Sequence, residues 1–230
     1  MINKNFLQEA SLLQLSEEIF STVINDGRKL NSVENLLTEK IKEAETINFI
    51  LADGLGYENL MSLETSLKDN IKKIINTTFP SSTNVALTTF AMMSHPIDHG
   101  IIGYYMYDKS NFGLINALNW NSENELLLNN DHFKNQESIW KKFKLFNTHV
   151  ANFQPENLVG SSLSNFLYEK SSTVPYKTIE NLIEMLSEAS FLENRFNFIY
   201  YPNVDIAGHI FGVYSAEWEL EIKKFEEAVE

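Results

Sequence analysis

Two six-residue runs, Ile47–Ala52 and Phe196–Tyr201, constrain what this chain can become more than any other feature. The first is nearly continuous in apolar side chains, which is the mark of a strand buried on both faces. The second is strand-like and richer in aromatic rings. Around them β and α signals alternate. Ile71–Asn76 and Thr148–Phe153 read as further strands, and His99–Met106 as a loop and short strand. Tyr57–Leu67, Asn84–Met93, Ser138–Phe146, Thr178–Ala189 and Ala216–Val229 read as helices. Upstream, Leu12, Leu15, Ile19 and Val23 recur at spacings of three and four, on one helical face. Asp26-Gly27 interrupts that pattern and a second helical piece, Val33–Glu45, follows. Residues 1–45 are expected to be an N-terminal helical segment packed on the core, and residues 46–230 the core itself. The alternation predicts an α/β fold, a three-layer αβα arrangement around a mostly parallel sheet. Such sheets bind ligands beyond the carboxyl ends of their strands. Asp53 and Asp205 both follow a strand there.

Composition narrows the chemistry. A chain of 230 residues, 43% hydrophobic, with 16 Phe and 9 Tyr, can bury a substantial core. It has no Cys, so a disulfide framework and a thiolate metal site are both excluded. A metal would be held by oxygen and imidazole. The net charge of −13 (18 basic against 31 acidic residues) repels a polyphosphate backbone, and no basic stripe offsets it. Nucleic acid is not an expected partner. An anionic small substrate is compatible with this charge when bound cations reverse the local field. Residues 1–10 lack a basic segment followed by an apolar one, and Glu9, Glu17 and Glu18 stand where a signal peptide would be apolar. No apolar run approaches the roughly 18 residues of a membrane span. The expectation is a soluble, cytoplasmic protein.

Four residues carry the chemical reading. Asp205 and His209, four apart with Gly208 between them, form a metal-ligand pair or a polar loop after a buried strand. Asp53 reads as a ligand at a strand end, or as an Asp bonding its own backbone before Gly54. Ser81, Ser82 and Thr83 cap the following helix, or place a hydroxyl where free backbone N–H groups favour a phosphate. A metal-bound hydroxyl there would be an activated nucleophile. His95, His99, His132 and His149 are lone histidines, which more often serve the surface or the core than a metal; His99-Gly100 shapes a loop near the site.

Taken in order, Phe49–Gly56, Phe79–Thr89, His99–Tyr104 and Tyr201–Gly212 resemble the alkaline phosphatase superfamily, in its type I phosphodiesterase/nucleotide pyrophosphatase branch. Gly113–Trp120 and Gly160–Leu163 look similar to cytoplasmic bacterial members. The resemblance implies an alkaline-phosphatase-like fold and two divalent metal ions, usually zinc. It implies hydrolysis of a small phosphorylated substrate through a phospho-threonine intermediate. Thr83 matches the nucleophile, with Ser82 as the lesser candidate. Asp53 matches a ligand of the metal that also binds Thr83. Asp205 and His209 match ligands of the second metal.

Two departures stand out. Tyr104 occupies the position of an Asn that donates to the phosphoryl group; a phenol also donates, with different reach. The family also has an Asp-His-Gly motif and a further His downstream, and no His or Asp follows His209 here. The final helical pattern carries no stop signal. The expectation is therefore an N-terminal portion of a longer enzyme, with weak metal binding and little activity in these residues alone. Phosphomonoesterase and phosphomutase readings keep the fold; the latter needs an inserted domain that the Thr83–Asp205 interval does not suggest. A sulfatase would need a modified Cys or Ser in a motif absent here. A non-catalytic binding protein is the alternative from another class.

Overall fold

The computed structural model describes residues 10–25, 35–108, 113–118, 136–188 and 193–230. Asp26-Gly27, the start of the second helical piece at Val33, Trp120, His132 and the expected helix end at Ala189 lie outside them. In chain order the helices and strands are α1 (Leu12–Val23), α2 (Glu39–Lys42), β1 (Ile47–Ala52), α3 (Tyr57–Ser62), α4 (Thr83–Met92), α5 (Pro96–His99), β2 (Tyr105–Asp108), β3 (Gly113–Asn116), α6 (Ile139–Leu145), β4 (Val150–Pro155), α7 (Ser162–Leu167), β5 (Ser172–Tyr176), α8 (Ile179–Leu186), β6 (Phe196–Tyr201), α9 (Asn203–Phe211) and α10 (Ala216–Val229). They fall into two compact units interleaved along the chain. One comprises Met1–Glu45, Ile75–His149 and Leu158–Ser171; the other comprises Thr46–Ile74, Val150–Asn157 and Ser172–Glu230.

The second unit holds a four-stranded parallel sheet in the order β1-β6-β4-β5. The expected α/β fold with a mostly parallel central sheet is the one this chain adopts. β1 and β6 run in register from Ile47 opposite Phe196 to Ala52 opposite Tyr201. β6 is central, and all six of its residues are buried. The β1 run is less covered than its composition predicts: Ile47 is buried, Asn48 exposed and the rest intermediate. Its place at one end of the strand order accounts for this, because burial on both faces comes with flanking strands. Asn48 and Asn197 are paired in register, and Asn197 Nδ2 donates to Asn48 Oδ1 at 2.9 Å. That bond penalises a one-residue slip, which would turn every side chain to the opposite face.

Strand alternation sends Ala151, Phe153, Ile199 and Tyr201 to one face, where they pack with Ile179 and Leu182 of α8, Val204 and Ala207 of α9, and Trp218, Ile222 and Phe225 of α10. The α10 anchors recur at spacings of four and three, which forms one helix face. Ser215 caps α10 by accepting from the Trp218 N–H at 3.2 Å. Glu221 sits at the edge of this core. Its Oε1 accepts from the Tyr201 hydroxyl at 2.6 Å and from Asn203 Nδ2 at 3.1 Å, and its Oε2 from Lys224 Nζ at 3.0 Å.

Burial pushes the Glu221 carboxyl up, but the bonds from Tyr201, Lys224 and Asn203 outweigh it and hold the group below its ordinary 4.5. A depressed carboxyl contributes stability above its unfolded value and loses it as pH falls through the folded one. Glu221→Gln is therefore expected to destabilise by about 1–2 kcal/mol at pH 7, because bonds to a charged acceptor become neutral ones. In urea titrations the two proteins should converge as pH falls below 4.5 through the depressed carboxyl value; a gap unchanged across that fall would refute the ionic contribution.

The first unit is built on α1, α4 and α6. α4 is buried along most of its length, including Val85, Leu87, Phe90, Ala91 and Met92, and it ends at Met93 in the left-handed region (φ 50°). Glu18 of α1, itself buried, accepts from the Leu36 and Leu37 N–H groups at 2.7 and 3.2 Å. β2 and β3 form a separate antiparallel hairpin.

Several local expectations differ from the structure. Ile71–Asn76 is not a strand; only Asn76 makes an isolated bridge, to Ser11. Alternating Lys72-Lys73 with Ile71 and Ile74 leaves no face able to stay dry. Among the described residues, the second helical piece is only Glu39–Lys42, and Tyr57–Leu67 breaks after Ser62 into a short 3-10 turn at Ser66–Asn70. β5 went unread because Pro175 removes a donor, which disqualifies a central strand but is tolerated on an edge strand. β5 ends the strand order.

Candidate active site

The site residues of the second unit are set by β1, β6 and α9. Asp53 follows β1 directly, and its N–H donates to the Tyr201 carbonyl at 2.9 Å, extending the ladder by one rung. The chain then turns through Gly54, whose φ is +75°. On the neighbouring strand, β6 passes through Pro202 into α9, which carries Asp205 in its first turn and His209 in its last. The segment read as a metal pair or a polar loop is thus a helix. Its spacing of four stacks the carboxylate and the imidazole on one face, with His209 Nε2 3.5 Å from Asp205 Oδ2. The His209 side chain is 81% exposed and the Asp205 side chain 33%.

Asp53 and Asp205 come together because Gly54 lets the two backbones touch. A Cβ on Gly54 would lie 2.6 Å from Asp205 Cα and 2.8 Å from its N. Burial raises the proton affinity of the Asp205 carboxyl above its ordinary value, the Asp53 carboxylate raises it further, and His209 opposes both. Tyr200, the penultimate residue of β6, donates its hydroxyl to Asp53 Oδ2 at 2.7 Å. Sequence reasoning missed Tyr200 because its partner is 147 positions away and no local pattern marks the pairing.

Two repelling carboxylates with an imidazole beside one of them make a donor set suited to a divalent cation, since oxygen and imidazole ligands select such ions and a cation relieves the repulsion. The number of donors is smaller than the chemistry demands: among the described residues, no group of three or more His, Asp or Glu is assembled to hold an ion. The residues fit a divalent ion in kind, as part of a coordination shell.

The other two expected site residues belong to the first unit. Thr83 is the first residue of α4, half-buried, after the N-cap Ser82, which makes no side-chain cap bond. Among the described residues, Ser82 Oγ is buried without a hydrogen-bond partner. Tyr104 is 40% exposed; its ring meets Tyr105 edge-on at 5.0 Å, and its carbonyl accepts from the Ala117 N–H at 2.8 Å. His99, expected in a loop, closes α5 and is buried. His95 and His149 are exposed. The structure thus brings Asp53, Asp205 and His209 together in one unit, and sets Thr83 and Tyr104 in the other.

Comparison with known proteins extends this picture. The sequence model of the type I phosphodiesterase / nucleotide pyrophosphatase family matches residues 49–230. No curated protein matches the chain. Among solved structures it is similar to human ectonucleotide pyrophosphatase/phosphodiesterase 5, with a TM-score of 0.56 at 15% identity over 80% of this chain and 50% of that one. The murine protein matches with a TM-score of 0.54 at 15% identity over 80% of this chain and 50% of that one. An inactive murine variant, in which a threonine is replaced by alanine, was solved in complex with AMP; it matches with a TM-score of 0.54 at 14% identity over 81% of this chain and 50% of that one. At these identities the likeness is one of fold. The chain spans about half the length of these solved structures. Among the described residues, no helix is long and apolar enough to cross a membrane.

Proposed function

As this chain belongs to the type I phosphodiesterase/nucleotide pyrophosphatase family, we propose that it serves hydrolysis of phosphate esters, of the phosphodiester or nucleotide pyrophosphate type, through a covalent phospho-threonine. The observation that carries the reading is the meeting of Asp53, Asp205 and His209 beyond the carboxyl ends of β1 and β6, where α/β sheets bind their ligands. Two like charges held together raise the energy of the resting protein, and a divalent cation is the ligand that lowers it. Asp53 would help hold one such ion, and Asp205 with His209 would help hold a second, zinc being the borderline ion that carboxylate and imidazole accept. When bound, these ions draw charge from the phosphoryl oxygens.

Thr83 supplies the nucleophile. Its Oγ1 attacks phosphorus, the P–O bond to the leaving group breaks, and the departing oxygen takes up a proton. Water then attacks the phosphothreonine, breaks the P–Oγ1 bond and restores the hydroxyl. The N-terminus of the ten-residue α4 aids both steps, because its unbonded N–H groups favour negative charge. The Tyr104 hydroxyl donates to a phosphoryl oxygen. Tyr200 holds Asp53 in its rotamer, as a supporting bond commonly does for a ligating carboxylate. The AMP held by the inactive threonine-to-alanine variant of the murine neighbour supports a nucleotide-like ligand and a threonine-dependent reaction.

The intact, metal-supplied protein, incubated with aryl phosphate mono- and diesters with and without chelator, is expected to prefer the diester. Turnover should cease on chelation and return with zinc. Acid quenching followed by peptide mass spectrometry should find the phosphoryl group on Thr83. Turnover indifferent to chelator, or a phosphoryl group on another side chain, would overturn the proposal.

A further inference from the structure

We infer that Asn84 is a positioning residue, which holds the loop before Tyr104 in register with Thr83; this rests on the roles proposed for those two residues. Asn84 is the second residue of α4 and is 0% exposed. Its Nδ2 donates to the Gly103 carbonyl at 2.8 Å. The bond therefore joins the residue after Thr83 to the residue before Tyr104. A single peptide separates it from each functional side chain, so a shift at either end passes almost undamped into their separation.

The rest of the Asn84 side chain argues against a role in stability. Its Oδ1 is buried and finds no hydrogen-bond partner among the described residues. A desolvated acceptor left unpaired is destabilising, and asparagine is a poor helix former. Leucine would occupy a similar volume with neither defect. What the amide supplies, and an apolar side chain cannot, is the grip on Gly103.

The far end of the same loop is held independently. The buried His99 accepts the Ile101 N–H at Nδ1, at 3.1 Å. That leaves Nε2 as the protonated nitrogen, which donates to Thr89 Oγ1 of α4 at 2.9 Å. The His99 carbonyl accepts from Gln136 Nε2 at 3.0 Å. Loss of the Asn84 bond would therefore release the Gly103 carbonyl and let the peptide before Tyr104 shift, while the His99 end and the Tyr104 carbonyl, bonded to the Ala117 N–H, stay held. The expected result is a displaced phenol, not an unfolded loop.

In the intact, metal-supplied protein, Asn84→Leu is expected to lower kcat about 100-fold, the cost of misplacing a contact by roughly 1 Å. KM should stay within about threefold, because transition-state alignment is lost rather than uniform binding. The melting temperature should hold or rise. Amide hydrogen exchange over residues 101–105 should quicken, a readout that needs no turnover. Asn84→Ser, too short to reach Gly103, should reproduce the loss of kcat and the faster exchange, so a leucine that fails to fold does not decide the matter. Wild-type kcat per folded molecule in either soluble variant, or unchanged exchange, would overturn the inference. A Thr83→Ala arm separates the two levels. If that variant is inactive while the Asn84 variants turn over normally, only the positioning role falls. If it turns over normally, the nucleophile assignment falls and the positioning role with it.

Discussion

Thr83→Ala is expected to lower ester hydrolysis by about 10⁴-fold or more, as removal of a covalent nucleophile does when the remaining machinery is intact. The same change should abolish the acid-stable phosphoryl adduct. The expectation is sharp because little else should move. Thr83 is half-buried at the first position of α4. Alanine is also the better helix former. The change in stability should therefore stay within about 1 kcal/mol, the usual range for substitutions that neither hollow a core nor strand a charge. A melting curve superimposable on the wild type, with the adduct gone, assigns the loss to chemistry. A Thr83→Ala protein that still turns over would mean that Ser82 or an activated water is the attacking group. Adduct mapping on that variant would tell the two apart.

Gly54→Ala should damage stability more than any other single methyl added to the sheet unit. At φ +75° an alanine is strained by about 1–2 kcal/mol, because its Cβ crowds the following carbonyl. The same Cβ would stand 2.6 Å from Asp205 Cα and 2.8 Å from Asp205 N and Cβ. These are the atoms of a helix start, which cannot swing aside as the tip of a long side chain would. Overpacking of this kind costs a further 1–3 kcal/mol or so. The sum, about 2–5 kcal/mol, is a large share of a domain's net stability of roughly 5–15 kcal/mol. Moving α9 outward would relieve the clash and carry Asp205 and His209 away from Asp53. Zinc uptake, followed by calorimetry, should weaken together with the melting temperature. Full stability with unaltered metal uptake would show that the Gly54–Asp205 approach is not a fixed feature of the fold.

Both predictions turn on contacts that differ in how far they could be read from the sequence. β6 and α10 were legible to the residue, because an aromatic-rich six-residue run broken only by Asn197 and anchors at spacings of three and four are local patterns that tertiary packing reinforces. α9 was not: Asp205-Ile-Ala-Gly-His209 contains a glycine and two polar ends, which suit a loop as well as a helix. Its helical state follows from burial of Val204 and Ala207 against the sheet and of Gly208 against Trp218, whose Cδ1 lies 3.4 Å from the Cβ that residue lacks. The short helix α7 and the hairpin strand β3 went unread for a related reason: stretches of four to six residues carry too few periods to stand out.

The sequence by itself determined the alternation of strands and helices, the exclusion of thiolate and disulfide chemistry, and the residue types available to bind a cation. Those depend on composition and on neighbours a few positions apart. Only the tertiary structure decided that Asp53 and Asp205 share one corner, that Tyr200 braces Asp53, and that Asn84 grips the loop before Tyr104. Each of those facts joins residues between 19 and 152 positions apart, and distance along a chain carries no information about distance in space until the sheet has set its strand order.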